Sequence, residues 1–275
     1  MIPVAFEYER PSSVEEALSL LTEHGDEAKV LAGGHSLLPM MKLRLAYPSV
    51  LVDIFRLQEL DYVRDAGDHL AIGALTRHRT VETNELIRAQ APLLARATSQ
   101  VGDPQVRHRG TLGGALAHAD TASDLPSALL ALQGSVVATG PGGERVIPAT
   151  ELFTGFLESA LAPDELLTEV RIPKVGDAGH SFQKFNRRAQ DWAIVGVSAQ
   201  RHNGSAAVAL VNMGPVPMRA TAVEEALAGG ASAAEAAEQA AVGTEPASDL
   251  NASVEYREHL ARVLVRRALL EAGIS

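Results

Sequence analysis

Val30-Leu31-Ala32-Gly33-Gly34-His35-Ser36-Leu37-Leu38-Pro39 is the stretch on which the reading of this chain turns. Its apolar start, residues 29–32, reads as a strand that runs straight into paired glycines. Adjacent glycines let the backbone bend through positive φ and remove the side chains that would hold a ligand away. Successive free N–H groups in such a turn wrap an anion. A second pair follows a charged loop at residues 105–110, in Thr111-Leu112-Gly113-Gly114, and Ser36 and Thr111 add a hydroxyl to each turn. Either pair alone reads as a tight turn. Two in one chain point to a diphosphate gripped from both sides, and so to a nucleotide cofactor. No Gly-x-Gly-x-x-Gly opens a helix, which leaves the Rossmann route unsupported. Gly140-Pro141-Gly142-Gly143 lies between two strands and reads as a hairpin turn.

Composition narrows the function. The chain has 275 residues with 24 basic and 34 acidic side chains, a formal charge of -10, which argues against a nucleic-acid partner. It has no cysteine, so any iron–sulfur cluster, disulfide or thiol nucleophile belongs to another chain. Nine histidines are scattered without a helical His-x-x-x-His pair, and no metal site is expected among them. The first ten residues lack a basic start followed by an apolar core, and no apolar run is long enough for a bilayer. The expectation is a soluble, cytoplasmic protein.

Around the two turns, strands and helices mix without a regular βαβ beat, so the expected class is α+β. Ser12 or Ser13 caps a helix that ends at Gly25, and residues 50–54 form a short strand. Ala66-Gly67-Asp68 turns one hairpin, and residues 82–101 are helical with a break at Pro92. Residues 124–132 form a Leu/Ala-rich helix, and residues 165–172, ending at Pro173, read as an edge strand. Residues 174–179 mark a boundary between domains at 1–175 and 176–275. Beyond it lie three strands, two of them joined at Asn203-Gly204, then helices at 220–227, 233–241 and 254–272. The Ala/Glu-rich stretch 229–249 reads as an exposed helix and loop.

Several stretches in order carry a family likeness. They are Phe6-x-Tyr8-x-x-Pro11, the turn at residues 32–36 with Leu37-Leu38-Pro39, Thr111-Leu112-Gly113-Gly114, Ala117-His118-Ala119-Asp120, and Ser123-Asp124-Leu125-Pro126. Phe185-x-Arg187-Arg188 with Asp191-Trp192-Ala193, and Met213-Gly214-Pro215-Val216-Pro217-Met218-Arg219-Ala220, complete the set. Over essentially its whole length the chain resembles the flavoprotein (medium) subunit of the molybdenum hydroxylases, nearest to the carbon monoxide dehydrogenase and xanthine dehydrogenase type. The resemblance implies an FAD-binding domain of the PCMH/vanillyl-alcohol-oxidase type followed by a smaller α+β C-terminal domain. It implies FAD as cofactor, and a molybdenum-cofactor large subunit and an iron–sulfur small subunit as partners in a dimer of heterotrimers. Electrons would pass from the iron–sulfur clusters through FAD to an external acceptor.

The resemblance also assigns residues. Ala32, Gly33, Gly34, His35, Ser36, Thr111, Gly113 and Gly114 would hold the diphosphate, with His35 either touching the cofactor or bracing its loop. Asp124 would contact the ribose or adenosine side; taken alone it is an N-cap or first-turn acid. Leu167 would flank the flavin; alone it is strand core. Lys184 would stabilise the reduced, anionic flavin; alone it is a solvated strand lysine. Trp192, the only tryptophan, would stack on the isoalloxazine, or else anchor the domain junction. No catalytic acid–base pair stands out. Two rival readings are a stand-alone flavin oxidase or dehydrogenase, and a flavin-free assembly protein of the same fold.

Overall fold

The computed structural model describes residues 2–202 and 205–275. The first helix runs Val14–His24, capped by the Ser13 side chain accepting from the Glu16 amide and closed by Gly25 at φ +50°. It covers a three-stranded parallel sheet of β1 (Glu7–Glu9), β2 (Ala28–Leu31) and β3 (Val50–Asp53), in the order β1-β3-β2. Ala17 and Leu21 of the helix share a core with Val50, Val52 and Ile54.

The second sheet is antiparallel and five-stranded. Strands β4 (Val63–Asp65) and β5 (His69–Gly73) form one hairpin and β6 (Ser135–Gly140) and β7 (Gly143–Pro148) another. After the small hairpin β8 (Phe153–Gly155) and β9 (Glu158–Ser159), strand β10 (Leu166–Pro173) inserts between the two larger hairpins, giving β4-β5-β10-β6-β7. The expected edge strand is therefore the central one. Pro173 sits at its last register position, opposite His69, where a missing N–H does not interrupt the ladder. Leu166, Leu167, Val170 and Ile172 are buried.

Six helices fill the segment between β5 and β6: His78–Thr83, Glu85–Gln90, Pro92–Ser99, Pro104–Arg109, Leu112–His118 and Asp124–Ala131. Pro92 opens its helix, as suits a residue without an N–H. The expected charged loop at 105–110 is the helix Pro104–Arg109, begun by Asp103, whose carboxylate accepts from the Val106 amide at 2.8 Å. The signal was an Asp-Pro N-cap pair, outweighed in the sequence by the run of charge behind it.

The remaining strands, β11 (His180–Phe185), β12 (Val195–His202), β13 (Ser205–Val211) and β14 (Met218–Arg219), form an antiparallel sheet in chain order. The turn expected at Asn203-Gly204 lies outside the described residues. The C-terminal helix Val254–Glu271 packs on β11 and β12. The Ala/Glu-rich stretch is not an exposed appendage. A capping box between Ser232 and Glu235 starts the helix Ala233–Ala237, and Ala233, Ala236, Ala237 and Ala240 are buried with Leu260, Leu264 and Ala268. Small side chains let these helices approach closely, a packing role that low complexity conceals. The class is α+β, as expected. The two parts share an apolar core, in which Phe182, Ala193, Ala209 and Val211 join Leu125, Ala128 and Leu129, and polar pins cross it: Ser127 with Ser198 Oγ at 2.8 Å, Thr121 to the Gly214 carbonyl at 2.9 Å, and Arg96 with Glu271 at 2.7 Å.

Because Ala236 has no room beside it, Ala236→Leu is expected to lower unfolding stability by about 1–3 kcal/mol. Ala234→Leu, on the exposed side of the same helix, should change it little. Urea titration of both variants checks this; equal effects would place the alanine face in solvent.

Candidate functional site

Leaving β2, the chain reaches Gly33 and Gly34, the latter at φ +79°. The carbonyls of Gly34 and Ser36 accept from Leu38 and Met40 and start the helix Leu37–Lys42. Among the described residues, the amides of Gly33, Gly34, His35 and Ser36 donate to no protein acceptor. The loop thus presents unengaged donors while two of its carbonyls, those of Gly34 and Ser36, are taken up by the helix, which suits an anion. Burial, and secondarily Arg109, push the His35 imidazole below its ordinary pKa, with Asp103 opposing.

The second glycine pair is built differently. Thr111 is the N-cap of Leu112–His118, and its hydroxyl accepts from the Gly114 amide at 3.2 Å. The Leu112 amide donates to Thr76 and the Gly113 amide to Ala74. The expected run of free N–H groups is absent here, because residues 74–78 occupy them. Gly113 is needed for packing: a Cβ would lie 2.6 Å from that of Ala74. What Thr111 still offers outward is its hydroxyl hydrogen.

The two loops touch. A Cβ on Gly33 would stand 2.6 Å from the Arg109 carbonyl oxygen and 2.9 Å from Gly110 Cα. Arg77 donates to that same carbonyl at 2.8 Å, and both Arg77 and Arg109 place their guanidinium groups over the Phe55 ring, 3.9 and 4.1 Å from its centroid. Between the loops opens a cavity of about 610 Å³ walled by residues 32–36, His78, Gly110, Thr111 and Gly114, and by Leu157 and Glu158 of the β8–β9 hairpin.

A second cavity of about 380 Å³ lies at the junction of the two parts. Residues 120–122 form one wall and Arg187, Arg188, Trp192 and Arg257 another. Phe156, at the tip of the β8–β9 hairpin, also lines it, with Trp192 59 % and Phe156 68 % exposed. The Trp192 segment is tied down behind its aromatic ring. Asn212 donates to the Ala193 carbonyl at 2.9 Å, and buried Arg257 donates to that of Ile194 while pairing with Asp249 at 2.8 Å. The helix Leu112–His118 lines the first cavity and the turn that follows it the second, while the hairpin gives Leu157 and Glu158 to the first and Phe156 to the second.

Two residues beyond that turn, Asp124 and Lys184 form a buried ion pair at 2.7 Å, with Lys184 also donating to the Gln100 carbonyl. Asp124 comes from the first part of the chain and Lys184 from β11, so the pair crosses the junction. Asp124 does not cap its helix; Ser123 holds that position. Asp124 Oδ1 has no partner among the described residues, and burial pushes the carboxyl up to about 6 against the pull of Lys184.

Of the residues singled out from sequence, Ala32, Gly33, Gly34, His35, Ser36, Thr111 and Gly114 share one cavity, and Trp192 lines the other. Lys184 is buried, which removes the solvated reading. Asp124, Lys184, Gly113 and Leu167 line neither cavity, and Gly113 and Leu167 are core residues. Sequence reasoning missed His78, Phe156, Asn212 and Arg257. Only Arg257 carried a signal, an arginine on the apolar stripe of Leu260, Ala261 and Leu264.

Residues 4–175 match the family described as FAD binding domain in molybdopterin dehydrogenase, and residues 180–272 match the CO dehydrogenase flavoprotein C-terminal domain. The chain is 40 % identical to the carbon monoxide dehydrogenase medium chain of Hydrogenophaga pseudoflava, over 98 % of this chain and 97 % of that one. It belongs to the FAD-binding medium subunits of the molybdenum hydroxylases. It is also 38 % identical to the 6-hydroxypseudooxynicotine dehydrogenase complex subunit alpha of Paenarthrobacter nicotinovorans, covering 99 % and 96 % of the two chains. Among solved structures, carbon monoxide dehydrogenase from Hydrogenophaga pseudoflava superposes with a TM-score of 0.96 at 41 % identity, over 99 % of each chain. Quinoline 2-oxidoreductase from Pseudomonas putida 86 gives 0.91 at 32 % identity, again over 99 % of each. Like other medium subunits, the chain is an FAD-carrying component of an oxidoreductase complex. No helix among its described residues is long and apolar enough to cross a membrane.

The residues present fit the cofactor of such a medium subunit. Four unengaged amides suit a diphosphate, and the orphaned Asp124 Oδ1 awaits a hydroxyl or N–H donor.

Gly33→Ala is expected to push the two loops apart and so lose FAD retention together with thermal stability, because its Cβ meets backbone. Gly142→Ala, in open space, should change neither. Flavin content and melting temperature of the purified variants decide; a stable Gly33→Ala that retains FAD would show that the loop contact is not needed.

Proposed function

We propose that this medium subunit holds FAD across both cavities and carries electrons from the iron–sulfur clusters of a small subunit to an external acceptor, with substrate oxidised on a molybdenum-cofactor large subunit. The observation that carries the binding reading is the row of amides at residues 33–36 that donate to no acceptor among the described residues, in a loop that lines one cavity together with Thr111. In this reading residues 32–36, Thr111 and Gly114 hold the diphosphate, Asp124 Oδ1 accepts from the cofactor, and Trp192 covers the ring end. Gly113 and Leu167 support from the core, the first by seating its helix on Ala74 and the second from β10 beneath the site.

When bound, the flavin supplies what no side chain here can, uptake and release of electrons singly or in pairs. The protein's part is binding and electrostatics. Lys184 is already matched by Asp124, so the pair presents a fixed dipole rather than a free cation. Its positive end remains available to favour negative charge nearby, more weakly than an unpaired lysine would. Trp192 and Phe156 supply apolar surface at the junction.

The same reading divides the chain at 175/176, supported by β10 ending at Pro173 and β11 starting at His180. It assembles the complex as a dimer of heterotrimers in the cytoplasm. Identity along nearly the full length of chains that are themselves subunits favours this over a stand-alone oxidase or a flavin-free assembly protein.

Titration of the purified chain with FAD should give a bound flavin spectrum, quenching of Trp192 emission, and a stability gain near ~2.7 kcal/mol at a hundredfold excess over Kd. A colourless chain with an unmoved melting curve would sink the reading.

Binding should also depend on pH through Asp124. A donor on Oδ1 stabilises the carboxylate, so the bound form ionises at lower pH than the free form. FAD uptake should therefore release a proton below about pH 6, and affinity should rise with pH until about 6 and then level. In the free chain the sign is opposite. A carboxyl raised above its ordinary 3.8 contributes stability that is present below that value and lost as pH rises through about 6. Calorimetry across this range checks the prediction, and Asp124→Asn should flatten the dependence.

A further inference from the structure

We propose that the free edge of β2 reads the adenine of the dinucleotide: the Val30 carbonyl accepts from the exocyclic amino group and the Val30 amide donates to the ring nitrogen beside it. This rests on the FAD reading above and adds a base-recognition site to it. The sheet order β1-β3-β2 leaves one side of β2 without a strand. The Leu31 carbonyl accepts from the Ile54 amide at 3.1 Å, so Leu31, and Lys29 one period before it, turn their main-chain groups toward β3. Ala28 and Val30 turn theirs the other way. The Ala28 amide accordingly donates to the Gly25 carbonyl, in the 3₁₀ turn that leads into the strand. No strand, and no main-chain group of a loop, among the described residues meets the amide and carbonyl of Val30.

That edge opens into the loop cavity. Residues 28–32 line it in continuity with residues 33–36, and Val30 is only half-buried. None of residues 28–32 lines the junction cavity, so this stretch is the end of the site remote from Trp192. With the diphosphate at the loops and the flavin ring at the junction, the base is the part of the ligand left for it. Leu161, Ala162 and Pro163 line the same cavity. The polar groups of their segment are spent on one another. Glu165 pairs with Arg145 at 2.7 Å and accepts from the Ala162 amide at 2.7 Å, and the Glu165 amide donates back to the Ala162 carbonyl. Arg145 also donates to the Ala160 carbonyl at 2.6 Å. That segment offers a ligand apolar surface, which suits the faces of a flat, uncharged base, and leaves its edge to be fixed by a few polar groups. Val30 presents one donor and one acceptor side by side, the complement of an amino group next to a ring nitrogen.

The test is residue-resolved amide hydrogen exchange of the full chain by NMR. In the free chain the Val30 amide should exchange faster than that of Leu31, which is turned into the sheet, and bound FAD should slow it by about tenfold or more. FMN, which lacks the adenine, should leave it fast. An FAD analogue with hypoxanthine in place of adenine puts an acceptor where Val30 needs a donor, and should bind about tenfold more weakly than FAD. A chain with a bound flavin spectrum whose Val30 amide still exchanges freely overturns the proposal and leaves the FAD reading intact. So does equal affinity for FAD and the analogue. FMN slowing Val30 as FAD does also overturns it, because the flavin's own N–H and carbonyl would then be what the edge reads. A Val30 amide already protected in the free chain overturns it too, since the edge would not be free. No FAD uptake at all takes down both readings.

Discussion

The close approach of Gly33 to the backbone of Arg109 and Gly110 governs the geometry around it, because it sets the separation of two loops from distant parts of the chain. Glycine at 33 is needed first by this protein–protein contact, with the Arg109 oxygen 2.6 Å from where a Cβ would stand. A ligand passing between the loops inherits that spacing. The Arg109 side of the contact is fixed in turn by residues 74–78. Ala74, Thr76 and His78 between them bond Gly113, Leu112, Gly110 and Thr111, and Arg77 bonds the Arg109 carbonyl. Arg77 and Arg109 both stack on Phe55, and the carboxylates of Asp61 and Asp53 offset part of the repulsion that Arg77 feels from Arg109. One loop is therefore rigid and fully bonded, whereas the other keeps its donors free.

That asymmetry explains what was legible in the sequence. Both glycine pairs drew attention because glycine leaves backbone accessible, and Gly33, Gly34 and Gly114 do lie at one cavity. Which pair keeps free amides depends on Thr76 and Ala74, whose carbonyls reach residues 112 and 113 only after folding. The central position of β10 was hidden for a related reason. Proline excludes a strand interior, but Pro173 sits at a strand end, and the five-stranded order is settled by pairings far apart in sequence. The alanines at 233, 236, 237 and 240 read as bland composition because a close helix contact needs small residues and leaves no hydrophobic signature. The capped helices, the hairpin turns near Gly67 and Gly142, and the strand before Gly33 were readable because each rests on local backbone chemistry.

The Asp124–Lys184 pair could not be read from either residue alone. A first-turn aspartate and a strand lysine both have ordinary surface roles, and only the fold buries them against each other across the junction. Burying such a pair costs desolvation that its attraction offsets only in part, and a buried pair is weak grounds for stability. The unpartnered Oδ1 shows that the free chain leaves this arrangement unfinished. A buried polar network kept incomplete is better explained by a ligand that completes it than by folding alone.

The same reasoning separates the two ends of the site. At the loops, the cavity is lined by residues 33–36 with their unengaged amides and by Thr111, groups that carry no net charge and would leave a diphosphate's own charge uncancelled. At the junction, Trp192, Phe156 and the arginines at 187 and 188 offer apolar and cationic surface, with the Trp192 segment held from behind by Asn212 and Arg257. The helix Leu112–His118, which lines the loop cavity, and the β8–β9 hairpin, which gives residues to both cavities, belong to the first part of the chain. The second part contributes only at the ring end, through Lys184, Trp192 and the residues that brace them. A bound dinucleotide would therefore be anchored by one domain and covered by the other, so that occupancy of the site and closure of the junction are one equilibrium. Whatever weakens the pins between Ser127 and Ser198 or Thr121 and Gly214 should then loosen the ring end before it disturbs the diphosphate end.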